Sequence, residues 1–297
     1  MVSIIIPSYF DPFLQKTIDS VLENAQGKIQ VIPVLDGYTP KEPLKKDKRV
    51  EPLFLQKIHG MRGAINEGLR SARGKFIMKC DSHCAFAPGF DKVMARTCKD
   101  NWLMIPRRYT LNTDSWDKEV GRPPRDYHFI TFPVHTREYG VCISSQDWLH
   151  RSTGRQGPEH DIDDTMCFQG SCWFAQKKYF MSHVGYLNGR PEAYGPFGGE
   201  QLEIGLKFWL SGGEVKVNKK TWYAHLNKRP HHYRQGLFTR SYKLDRNAKR
   251  GRGWASKHWM NNEEPDMIYP FSWLVEKFWP VPTWPEDRSL WVLPKAK

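Results

Sequence analysis

The feature that most constrains this chain is a change of hydrophobic period, repeated several times along its first third. "SIIIPSY" is a short apolar run, "PFLQKTIDSVLENA" places Leu14, Ile18, Val21 and Leu22 at helical spacing, and "QVIPVLDG" is a second apolar run closed by Asp-Gly. "VEPLFLQK" reads as a third strand, "MRGAINEGLRSAR" as a helix stopped by Gly74, and "KFIMKCDS" as a fourth strand. Strands alternating with helices imply βαβ units, a mostly parallel sheet, and ligands bound outside the carboxyl ends of its strands. Asp36 and Asp81 both stand at such ends.

Beyond that region the pattern weakens. Residues 112 to 165 are rich in Pro, Arg and aromatic side chains and read as irregular strands and loops. "CWFAQKKYFMSHVGY" then reads as a strand and a short helix, and "GGEQLEIGLKFWLSGG" as a helix between glycine pairs with Leu202, Leu206 and Trp209 on one stripe. "EVKVNKKTWYAH" is a last strand carrying His225, and six of the twelve tryptophans fall in the final 44 residues. The 297 residues are expected to divide into a catalytic domain, 1–230, and a basic, Trp- and Pro-rich extension, 231–297, packed on it.

Charge and cysteine content narrow the function classes. The net charge of +13 attracts polyanions, and it is concentrated: from Lys228 to Arg252 nine Lys and Arg face one acid, Asp245. No run approaches the ~20 apolar residues of a spanning helix, and "VSIIIPSYF" lacks a signal-peptide layout, so a soluble cytoplasmic protein is expected. Six cysteines without a C-x2-C pair read as free thiols rather than a disulfide framework or a zinc cage.

"CDSHC", residues 80 to 84, gathers two thiols, a carboxylate and an imidazole. In extended backbone, Cys80, Ser82 and Cys84 share one face while Asp81 and His83 share the other. A metal would therefore sit on the Asp-His pair, with the cysteines packed behind as small hydrophobes. Carboxylate plus imidazole suits Mn2+ or another borderline divalent ion with open positions. The alternative is a hydrogen-bonded Asp-x-His at a strand end.

Three separated stretches carry a resemblance: "DSHC" (81 to 84), "FGGEQLEIGLKFWLSGG" (197 to 213) and "WYAHLNKRP" (222 to 230), with "GSCWFAQKKYF" between the first two. In order and spacing they resemble the catalytic domains of the polypeptide N-acetylgalactosaminyltransferases over roughly residues 2 to 230. The resemblance implies a GT-A fold, an α/β nucleotide-sugar-binding architecture with a mixed central sheet. It also implies a UDP-sugar donor and Mn2+ or Mg2+ held by Asp81, His83 and His225. Asp36 would meet the uridine, or serve only as a turn residue; Pro7 would pass the nucleobase; Arg62 would lie near the nucleotide, or cap a helix. Gly170 and Phe197 fall at the sugar pocket, Lys228 and Tyr233 in a loop closing on the diphosphate. Glu200 is the carboxylate expected beside the transferred sugar and acceptor, with Glu203, one helical turn on, either supporting it or solvated. Retention of anomeric configuration is implied.

Phe197 stands where the family has Trp, Gln201 where it has Asn, and Gly170-Ser171 where it has Gly-Gly, which leaves the sugar open. The basic segment interleaves its cations with Tyr233, Phe238, Tyr242, Trp254 and Trp259, the composition of a nucleic-acid groove. The leading expectation is therefore a glycosyltransferase acting on a hydroxymethylated base in DNA, in a bacterial or phage-infected cell. The tail tryptophans would fill the gap left by a flipped base, or simply pack the extension down. The alternatives are a protein, polysaccharide or lipid-linked acceptor, and a non-catalytic nucleic-acid-binding protein on a transferase scaffold.

Overall fold

The computed structural model describes residues 1–136, 140–227 and 242–292. In chain order the N-terminal elements are β1 (Val2–Ser8), α1 (Leu14–Asn24), β2 (Ile29–Asp36), β3 (Leu53–Leu55), α2 (Gly60–Ser71), β4 (Phe76–Cys80), β5 (Cys84–Phe86), α3 (Phe90–Thr97) and β6 (Trp102–Asn112). The middle holds short pieces, as its weak periodicity predicts: β7 (Asp117–Lys118), β8 (His128–Ile130), β9 (Val134–Thr136), β10 (Gly140–Cys142), β11 (Ser145–Asp147), α4 (Leu149–Gly154) and β12 (Ile162–Asp164). There follow β13 (Cys172–Gln176), α5 (Lys177–His183), α6 (Glu200–Leu210), β14 (Glu214–His225), α7 (Tyr242–Met260) and α8 (Phe271–Lys277).

A ten-stranded sheet runs in the order β12-β14-β6-β13-β4-β1-β2-β3, with β5 on β14 and β7 on β6. It is mixed rather than mostly parallel. β4, β1, β2 and β3 are parallel, as are β14 and β6, and β13 joins the two blocks antiparallel to both its neighbours. Period-two alternation sends Ile4 and Ile6 to the face covered by α1 (Leu14, Ile18, Val21) and Ile5 to the face covered by α2 (Ala64, Ile65, Leu69). Burying each such side chain contributes about 1.5–3 kcal/mol.

Two details of α1 matter for the site. Its buried polar residues, Thr17 and Ser20, accept hydrogen bonds from the backbone N–H of Cys84 (3.0 Å) and Phe86 (3.1 Å). They thereby hold β5, and with it the CDSHC turn, against the helix. At the other end of the chain, Trp259, Phe271, Leu274, Phe278 and Trp284 join the same core as Trp209 of α6. Trp259 is fully buried with its indole N–H donated to the Tyr194 hydroxyl at 2.5 Å, and Trp284 donates to the Ile130 carbonyl. These two rings are committed to packing and are not available to stack on a base. Among the described residues no helix is long and apolar enough to cross a membrane.

Candidate metal centre

β4, β1 and β2 run parallel, so Cys80, Ser8 and Asp36 end at one edge of the sheet. The chain leaves β4 at Asp81, whose N–H donates to the Ser171 carbonyl at 2.8 Å, and turns back as β5. β5 pairs antiparallel with the end of β14, in a register that sets His225 opposite Cys84. That pairing brings His225 beside residues 81 to 83. Its Nε2 lies 3.1 Å from Asp81 Oδ2, His83 Nε2 lies 3.9 Å from the same oxygen, and the two rings are 4.8 Å apart. Ligand atoms of all three residues fall within 4.8 Å of one another.

The cysteines go the other way, Cys80 from the last residue of β4 and Cys84 from the first of β5, on either side of the turn. Cys80, Cys84 and Cys172 are fully buried, Cys80 opposite Cys172 in the β4–β13 register, and burial pushes all three thiols up. None of the six cysteines is in a disulfide.

The trio fits a divalent ion. Atoms that sit cis on an octahedral ion with bonds of about 2.1 Å lie about 3 Å apart, which matches the 3.1 Å from Asp81 Oδ2 to His225 Nε2, while His83 Nε2, at 3.9 Å, would have to draw in to complete the set. Burial pushes His225 down to about 3 despite the opposing pull of Asp81, so its ring is neutral, the form a metal needs. His225 Nδ1 is buried without a hydrogen-bond partner. His83 turns its Nδ1 to Asp11 Oδ2 at 2.8 Å, the carboxylate backing that orients a ligating imidazole.

Behind Asp81 stands Lys79, which sequence reasoning did not single out. It is fully buried, and its Nζ donates to Asp81 Oδ1 (2.6 Å), Glu200 Oε1 (2.8 Å) and the Gly170 carbonyl (2.7 Å). Burial disfavours the ammonium, but Asp81 and Glu200 outweigh it and push its pKa up. Asp81 is likewise desolvated, yet Lys79 and the two histidines hold its carboxyl well below the usual range. For Glu200 the balance goes the other way: burial pushes its pKa up, and Lys79 offsets this only in part. The two carboxylates therefore share a cation but not an acidity. Lysine is almost never fully buried unless paired, so a lysine inside the apolar strand "FIMKC", two residues from Asp81, was a readable signal. Asp11, in the β1–α1 connection, had none.

Gly170 owes its identity to this arrangement. A Cβ there would lie 2.8 Å from Glu200 Oε1, so any side chain would push the carboxylate off Lys79. Gly199, at φ +69°, caps α6 in a left-handed conformation and lets Glu200 open the helix.

Other expected residues are placed elsewhere. Glu203 is buried, but its carboxylate turns from the centre to an ion pair with Arg62, whose side chain is equally buried, and also meets Lys207 and the Asn188 N–H. Arg62 donates Nε to the Gly198 carbonyl at 2.9 Å and lies 4.1 Å over the Tyr194 ring. It ties α2 to the segment before α6. Asp36 is buried and accepts from the N–H groups of His59 (2.7 Å) and Gly60 (2.8 Å), capping α2. Pro7 stands near the end of β1, half-buried, and Phe197 is 42% exposed ahead of α6. Lys228 and Tyr233 lie outside the described residues, as does most of the basic segment.

Comparison with known proteins places the fold and the family. Polypeptide N-acetylgalactosaminyltransferase 5 of Caenorhabditis elegans is 23% identical over 247 residues, covering 75% of this chain and 36% of that protein. Polypeptide N-acetylgalactosaminyltransferase 9 of Macaca fascicularis is 30% identical over 206 residues, covering 68% and 30%. The chain thus spans about a third of the length of such relatives. Among solved structures, GalNAc-T7 with UDP, GalNAc and Mn2+ superposes with a TM-score of 0.59 at 15% identity, over 77% of this chain and 44% of that one. S. aureus TarS 1-349 in complex with UDP-GlcNAc gives 0.50 at 14%, over 78% and 60%. The fold is that of the GT-A-like glycosyltransferases, as expected. Residues 3–156 match the family described as Glycosyl transferase family 2. The chain belongs to glycosyl transferase family 2.

Proposed function

We propose that this protein transfers a sugar from a UDP-sugar to a hydroxyl group, with Mn2+ or Mg2+ bound by Asp81, His83 and His225. The observation that carries the reading is the convergence of these three residues, from the turn after β4 and the end of β14, to within 4.8 Å. When bound, the ion supplies Lewis-acid neutralisation of the departing diphosphate. The protein's own groups do the positioning. Lys79 occupies Asp81 Oδ1 and leaves Oδ2 turned toward the imidazoles, Asp11 sets the His83 ring, and Lys79 and Gly170 fix Glu200 beside them. We assign Glu200 to the transferred sugar and acceptor hydroxyl. Held by a permanently charged ammonium, it suits orienting the substrates better than abstracting a proton, in keeping with a retaining reaction.

For the acceptor, the relatives favour a protein. Relatives similar in sequence are named polypeptide N-acetylgalactosaminyltransferases, which supports a serine or threonine hydroxyl over the hydroxymethylated DNA base expected from the basic segment. No comparison supports the DNA acceptor, and the tryptophans invoked for it include two that are packed in the core.

The test is UDP release from a panel of UDP-sugars, with Mn2+ or with chelator, in the presence of Ser/Thr peptides or of hydroxymethylated DNA. Release should need the metal, be raised by peptide, and vanish in His225→Ala. Wild-type protein that neither binds Mn2+ nor responds to chelator would remove the proposal.

A further inference from the structure

β6 carries two adjacent arginines that alternation sends to opposite sides of the strand. Arg107 is neutralised by Asp126, with Nε and Nη2 both on the carboxylate. Arg108 is different. It is only 5% exposed, and among the described residues its one side-chain hydrogen bond runs from Nη2 to Asn227 Oδ1 at 2.7 Å while its Nε is buried with no partner. None of the ion pairs among the described residues includes it, so it meets no carboxylate there.

Its position makes that lack informative. In the parallel β6–β14 register Arg108 lies level with Tyr223 and Thr110 with His225, so Arg108, Tyr223 and His225 share a face. The bond to Asn227, two residues past His225, carries the guanidinium along that face toward the metal centre. Its charge is also felt at the His128 ring, whose pKa burial depresses first and Arg108 further. A buried charge without a counter-ion is strongly unfavourable, and a single neutral amide oxygen does not compensate it. A planar fork of donors is the group that binds phosphate and carboxylate oxygens best.

We propose that Arg108 is an anion-receiving residue of the site, closing on an oxyanion beside the metal centre. The inference rests on the transferase reading for its two sources of that oxyanion: the diphosphate of the donor, or an acidic group carried by the acceptor next to its hydroxyl.

The experiment uses the full-length chain and calorimetric titration with two probes, inorganic phosphate without metal and UDP with Mn2+, on wild type, Arg108→Met, Arg108→Lys and Asn227→Ala. Arg108→Met should weaken phosphate about tenfold or more, the scale of a charged hydrogen bond, with Arg108→Lys intermediate. Asn227→Ala should bind phosphate nearly as wild type does. If UDP weakens in parallel with phosphate, the oxyanion is the donor's; if UDP is unchanged, it is the acceptor's. Arg108→Met that binds both probes like wild type overturns the proposal, as does Asn227→Ala losing as much as Arg108→Met, since the guanidinium is then only a peg for Asn227. Should Arg108→Met fail to fold, the graded loss in Arg108→Lys decides. Wild type that binds phosphate through Arg108 but neither Mn2+ nor UDP sinks the transferase reading alone.

Discussion

Replacing Lys79 by Met removes the one cation that Asp81, Glu200 and the Gly170 carbonyl share, while keeping most of the side chain's volume. Deleting one partner of a buried ion pair costs about 3–5 kcal/mol because the other charge is left uncompensated. Here two carboxylates are stranded, so the upper part of that range applies. With an unfolding entropy of roughly 2.1 cal/mol/K per residue, a 297-residue chain loses on the order of 0.6 kcal/mol per degree near its midpoint. Lys79→Met should therefore melt about 6–8 °C below wild type. The native pKa of Lys79 is raised, so in wild type its contribution is complete below the ordinary lysine value of 10.5 and is lost only as pH rises through the native one. In Lys79→Met the deficit should narrow as pH falls, because one stranded carboxylate then takes up a proton. Adding Glu200→Gln to Lys79→Met should recover part of the loss. The assay is thermal unfolding followed by circular dichroism over a pH series. A melting point within about 2 °C of wild type, or a deficit that widens in acid, would show that Lys79 does not hold the two carboxylates in place.

Arg62→Met and Glu203→Leu should each destabilise by about 3–5 kcal/mol, and the double variant by clearly less than their sum, because the pair is buried on both sides; additive losses in denaturant titrations would show the two are not coupled. Gly170→Ala should cost about 1–3 kcal/mol and lower turnover by displacing Glu200, whose oxygen lies 2.8 Å from the new Cβ, while Mn2+ affinity holds; unchanged turnover refutes that account. His128 is pushed down to about 4 by burial, against the pull of Asp147, from an ordinary value of 6.5. The unfolded chain therefore takes up a proton first, and up to about 3 kcal/mol of stability present above pH 6.5 is lost as pH falls toward 4. Melting curves at neutral and mildly acidic pH should lie closer together in His128→Gln than in wild type.

The elements that the sequence reveals are those whose apolar pattern is decided locally. β1, α1, β2, α2, β4, α6 and β14 all lie where period alone puts them. β6 escaped, although it is eleven residues long and central, because "WLMIPRRYTLN" contains Pro106 and two arginines. The structure tolerates that proline through a register shift in β14, between Asn218 and Trp222, opposite it. The polarity of β13 was hidden for another reason: strand direction depends on where a long connection returns, which no local pattern encodes. At the site, alternation alone separated Asp81 and His83 from the cysteines, whereas the third ligand rested on family resemblance. The Arg62–Glu203 ion pair was not legible because each charge answers a partner 141 residues away, and burial of a charge is read only with its counter-charge.

The charge balance of the centre ties its parts together. Asp11, Asp81 and Glu200 contribute three carboxylates and Lys79 one ammonium, all in hydrogen-bonded contact with the ligand set or with one another. Among these four groups the carboxylates outnumber the ammonium, in a place where burial penalises each charge. A divalent cation at the proposed site would offset that excess more fully than a monovalent one. The guanidinium of Arg108 would then stand, on the same face as His225, as a positive charge facing an anion delivered with the substrates. A second cation there would be repelled, and a neutral ligand would leave the guanidinium with the Asn227 amide oxygen but no counter-charge among the described residues.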